Sequence, residues 1–124
     1  MVLSDDALSL LRTSIRSVWA LELLMLLRRE PGRSWSRDAL IRELRGSETV
    51  VQEALDGFLA AALVAAEPDG SYRYRPALAV LDQWVGEIEQ AYAQRPSAIV
   101  REILGAPGNK VQIFADSFRF RKND

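Results

Sequence analysis

Residues 47–76, SETVVQEALDGFLAAALVAAEPDGSYRYRP, switch from helical to extended hydrophobic spacing part-way along, and that switch decides the fold. Ser47 stands before a periodic run, where its hydroxyl can cap an orphan backbone N–H, and Glu48 in the first turn suits the positive end of the helix dipole. Val51, Ala54, Leu55, Phe58 and Ala62 recur at helical spacing and give this helix a core side. Glu48, Thr49, Gln52, Glu53 and Asp56 fall on its outward side. After Leu63 and Val64 the pattern becomes extended, turns at Pro68-Asp69-Gly70, and alternates through Ser71-Tyr72-Arg73-Tyr74-Arg75 until Pro76 stops it. A helix running into a two-stranded hairpin follows, with Tyr72 and Tyr74 toward the body and Arg73 and Arg75 toward water.

Upstream, Asp5 to Glu30 reads as one long helix. Leu8, Leu11, Ile15 and Val18 form its first seam, and the second half is apolar nearly all round, as a helix surrounded by others must be. Pro31-Gly32 ends it, and Trp35 lies in a short connector under the next helix. Ser36 caps a helix through Arg45, with Leu40, Ile41 and Leu44 inward and Gly46 as its stop. Ser47 follows at once, so the two helices must cross at a large angle, as in a helix-turn-helix.

The composition narrows the chemistry. The 124 residues suffice for one compact core, and 16 basic against 17 acidic residues give no overall attraction to polyanions. With no cysteine and no histidine, the chain lacks disulfides, thiol nucleophiles, imidazole bases and the commonest zinc ligands. Neither a glycine-rich phosphate loop nor a nucleophile elbow occurs, and Asp5 with Asp6, or Glu87 with Glu89, are spaced so that they do not share a helix face. No catalytic residue, metal or cofactor is expected, and the chain is read as a non-enzyme. Acid stands where a secretory signal has base, and the apolar run Leu23 to Leu27 is too short to span a bilayer, so the expected location is the cytoplasm, away from membranes.

Ser36 to Leu44, the Ser47–Val64 helix and the hairpin from Glu67 to Arg75 together resemble the winged helix-turn-helix domain of MarR-like bacterial regulators. SVWALELLMLL, YRYRP and the terminal FADSFRFRK are also similar to a bacterial winged-helix group of no assigned activity. The fold class implied is mainly α with a small β-hairpin, a winged helix-turn-helix core flanked by N-terminal and C-terminal helices. Residues 1–76 would form the winged domain with its leading helix, and residues 77–124 a helical extension for dimerisation or partner docking. Such domains lay the third helix in the major groove, while the second helix and the wing touch phosphates. Carried onto this chain, the DNA-binding set is Arg37, Arg42, Arg45, Ser47, Glu48, Thr49, Gln52, Arg73 and Arg75.

Local charge opposes that set, because Ser47 to Val64 contains no lysine or arginine against Glu48, Glu53 and Asp56. The cations are elsewhere, at Arg28, Arg29, Arg33, Arg37, Arg42 and Arg45. Downstream, Leu81, Val85, Ile88 and Tyr92 continue a seam begun by Leu78, in the form of the Leu8, Leu11, Ile15 seam near the start. Seams of this kind face a second subunit or each other, and a homodimer through Leu8, Leu11, Ile15, Leu81, Val85, Ile88 and Tyr92 is the expectation. Ile99, Val100, Ile103 and Leu104 form a short helix ended by Gly105; Val111, Phe114, Ala115 and Phe118 form a last stripe before the basic Arg119 to Lys122 end. Two readings result: a dimeric DNA-binding transcriptional regulator, or a winged-helix module that binds another protein through its acidic third helix or its C-terminal helices.

Overall fold

The computed structural model describes residues 3–105. The expected stripe from Val111 to Phe118 and the basic end beyond it lie outside the described residues. Six helices and one antiparallel hairpin run in the order α1 (Asp5–Ser14), α2 (Val18–Arg29), α3 (Arg37–Leu44), α4 (Glu48–Ala60), β1 (Val64–Ala66), β2 (Tyr72–Tyr74), α5 (Ala79–Gln94) and α6 (Pro96–Leu104). The fold is mainly helical with one small hairpin. No helix among the described residues is long and apolar enough to cross a membrane.

Serine hydroxyls start each of the first four helices. Ser4 accepts from the Ala7 N–H, Ser17 from Ala20, Ser36 from Ala39 and Ser47 from Val50. The Ser17 cap corrects the reading of one helix from Asp5 to Glu30. The backbone turns extended at Ile15 and Ser17, and the Ile15 side chain plugs the corner with no exposure. A serine inside an apolar periodic run is compatible with either a cap or a solvent-facing helical position, so the spacing alone hid the break.

Helix α2 is the centre of the molecule, burying Ala20, Leu21 and Leu23 to Leu27. Helix α4 packs on it through Val51, Ala54, Leu55 and Phe58, and α1, α5 and α6 close the other side with Leu11, Val85, Ile88, Ile99 and Ile103. Polar ties fix this layer. The Ser4 N–H donates to Glu87 at 2.9 Å, Arg12 pairs with Glu102 at 2.8 Å, and the Tyr92 hydroxyl donates to Glu22 at 2.7 Å. One hydrophobic cluster runs from Ala7 to Ile103.

The corner between α3 and α4 forms at Arg45, whose φ is 55°, one residue before the glycine expected to stop the helix. Helix α4 ends in a Schellman motif. The Leu63 N–H donates to Phe58 O at 2.9 Å and the Ala62 N–H to Leu59 O at 3.1 Å, with Ala62 at φ 62° where glycine is usual. Leu63 and Phe58, both fully buried, supply the apolar contact that accompanies the motif.

The hairpin pairs Val64 with Tyr74, Ala65 with Arg73 and Ala66 with Tyr72. Its tip places Gly70 at φ 87°, with the Gly70 N–H donating to Glu67 O. Trp35 is more than a connector. Its N–H and C=O both bond to Tyr72 at 2.7 Å, making a third, one-residue rung beside β2. The hairpin is therefore held to the segment before α3 through β2.

Ala62→Gly tests the left-handed cap. Relief of that conformation is worth about 1–2 kcal/mol to an L-residue, against about 0.5–1 kcal/mol of extra chain freedom in the unfolded state. A net gain of about 0.5–1 kcal/mol in urea unfolding is expected.

Candidate recognition surface

The residues carried over as a DNA interface lie on α3, on the first turns of α4 and on the hairpin. The structure commits many of them to one another. Arg37, the first residue of α3, reaches across to α4, with Nη2 3.0 Å from Glu48 Oε1 and Nη1 donating to Gln52 Oε1 at 3.0 Å. Gln52 Nε2 in turn donates to Asp56 Oδ1 at 2.9 Å. Both ends of the Gln52 amide are thus occupied, and Ser47 Oγ is the cap of α4. Of the expected reading positions, only Thr49 has no side-chain hydrogen bond to a described residue.

The hairpin is similarly self-paired. Arg73 Nε lies 2.9 Å from Oε1 of Glu67, the residue just past β1, an ion pair without an aligned hydrogen bond. At the tip, Asp69 Oδ1 accepts from the Ser71 hydroxyl at 2.6 Å and from the Ser71 N–H at 3.0 Å, which lowers the Asp69 carboxyl pKa. Arg42 and Arg45 at the end of α3 and Arg75 beyond β2 are exposed, and no described carboxylate pairs with them. From residue 36 to 75 the sequence carries five arginines against seven carboxylates.

The residues expected at a subunit seam are, by contrast, core residues of the single chain. Leu11, Ile15, Val85 and Ile88 have no exposed surface, and Leu8, Leu81 and Tyr92 pack half-buried against the same cluster. The two seams close on each other through the packing of α1 on α5. The exposed apolar side chains are others: Trp19 beside the α3–α4 corner, Leu78 and Val80 at the start of α5, and Leu104.

A second polar cluster, missed in the sequence, joins α2, β2 and α5. Arg28 pairs with Glu89 and lies 3.5 Å from Asp82 through its buried Nε, a distance of attraction without an aligned hydrogen bond. The Tyr74 hydroxyl donates to Asp82 Oδ1 at 2.6 Å. Burial opposes the charge on Arg28, but Tyr74, Glu89 and Asp82 outweigh it and raise its pKa. Burial, then the bond to Asp82, raise that of Tyr74. Beside this cluster is a cavity of about 520 Å³ with Pro31, Pro76, Leu78 and Ala79 on its apolar side. The cluster ties β2 at the root of the hairpin to α2 and α5. Among the described residues no group of three acidic, histidine or cysteine side chains is placed to hold a metal.

Comparison with protein-family models, curated proteins and solved structures returns no match, so function has to be argued from this chain's own residues.

The raised Tyr74 pKa has a signed consequence. An unfolded tyrosine ionises near pH 10, and the folded one later, so the stabilisation is complete below about pH 10 and is lost as pH climbs through the folded pKa. Tyr74→Phe is expected to lower stability by about 1 kcal/mol at neutral pH and to flatten the decline in alkali, measured by denaturant unfolding across pH.

Proposed function

We propose that this chain is a winged-helix recognition domain whose α4 face engages a basic surface on a protein partner, and that it does not read duplex DNA. The observation that carries this reading is the Arg37–Glu48–Gln52–Asp56 chain. The groups a groove-reading helix needs to present are already bonded to one another, and the cation best placed for a phosphate is matched to a carboxylate. Glu48, Thr49, Glu53 and Asp56 remain exposed along α4, a face complementary to lysine and arginine. The resemblance to MarR-like regulators concerns the order of helices and hairpin, and one architecture serves unrelated partners.

A DNA-binding regulator is the second reading, favoured by Arg42, Arg45 and Arg75, which are exposed without a described counter-charge. The two readings separate by salt. A DNA binder loses affinity steeply as salt rises, through counterion release from each neutralised phosphate. Titration of the whole protein into labelled duplex at roughly 50 and 200 mM salt is expected to give no such binding. Salt-sensitive binding at the lower concentration would replace the protein-recognition reading with the regulator. Affinity purification with wild type and with Asp56→Arg is expected to recover a basic protein that the variant loses.

A further inference from the structure

Glu48 occupies an unusual place for a residue that opens a recognition helix. It is the first residue of α4, its side chain is 69% exposed, and its position in the first turn is one that a groove-reading helix would present to base edges. It also fixes Arg37, which is 41% exposed and sits at the first position of α3, where a cation is well placed for a phosphate. Two of the guanidinium's donor groups are turned onto α4 acceptors, one to Glu48 and one to Gln52. A planar fork held at two points is pre-organised, so little is gained by swinging it away.

We propose that Glu48 is the specificity-determining residue of α4: it excludes nucleic acid, both by its own charge and by holding Arg37 across the helix. This rests on α4 being the recognition element, as in the function proposed above. Discrimination between partners can come from a group that repels the wrong one, and here the repelling group also withholds the cation that would otherwise attract it. Helix capping does not require this carboxylate, because Ser47 already satisfies the Val50 N–H. The dipole contribution of an exposed first-turn carboxylate is small, about 0.3–1 kcal/mol.

The two parts of the proposal separate in a mutant cycle on the full chain. Wild type, Glu48→Gln, Glu48→Ala, Arg37→Ala and Arg37→Ala/Glu48→Ala are titrated into a random-sequence 24-base-pair duplex over a salt series. Thermal melts confirm that all five fold. Glu48→Gln and Glu48→Ala are expected to bind at least about tenfold tighter than wild type. Their slope of log affinity against log salt should be steeper by about one phosphate contact. The double variant is expected to lose most of that gain. An equal gain with and without Arg37 would overturn the withholding role, and no gain in either Glu48 variant would overturn the proposal entirely. Strong binding by wild type would sink the proposed function on its own, while the ratio of variant to wild type would still judge Glu48.

Discussion

Helix α2 cannot exist in water by itself, and the rest of the chain is arranged to cover it. Seven of its twelve residues are buried, on more than one side. Each fully buried leucine contributes about 1.5–3 kcal/mol relative to exposure, more than any polar tie on this surface supplies. That requirement sets where everything else goes. Helix α4 must lay its apolar stripe on α2, which turns its polar stripe outward, and the terminal helices must close the remaining side. The apolar seams of α1 and α5 are consumed in doing so, which is why a pattern resembling a subunit interface ends inside one molecule.

The polar surface then follows from what the covering leaves over. With α3 and α4 crossing at Arg45, the first residue of one helix faces the first two turns of the other, and Arg37 finds Glu48 and Gln52 within reach. The outcome is a helical crossing in which Arg37 is engaged by the acceptors of α4, while Arg42 and Arg45 at the other end of α3 stay exposed. Arg73 with Glu67 repeats the theme on the hairpin, and Arg28 with Asp82 and Glu89 repeats it at the hairpin's root.

Much of this was legible in the residues. Ser36 and Ser47 as caps, Asp69-Gly70 as a turn, the core stripe of α4 and the long α5 all follow from local rules whose physical cause lies within a few positions. What escaped depended on partners distant in the chain or on residues with two local options. Ser17 serves equally as a helix cap and as a solvent-facing helical residue. Ala62 adopts a left-handed conformation its type disfavours, because the buried Phe58 and Leu63 demand the cap. The rung between Trp35 and Tyr72, and the chain from Arg37 to Asp56, need the folded crossing before either becomes visible. The residues carried over as an interface could be picked out in the sequence, while their electrostatic state could be read only from how the side chains meet.

The cap of α4 also accepts hydrogen bonds from the strand that returns from the hairpin. Leu63 O takes the Arg75 N–H at 3.0 Å, and Ala62 O takes that of Ala77 at 2.9 Å. Helix and ribbon are in this way soldered at a shared joint, and the parity of the segment between them is fixed. Lengthening that joint by one residue would put β1 out of step with β2, whose place is held independently by the rung between Trp35 and Tyr72. Length is accordingly absorbed more easily at the ribbon's far tip than at its near end.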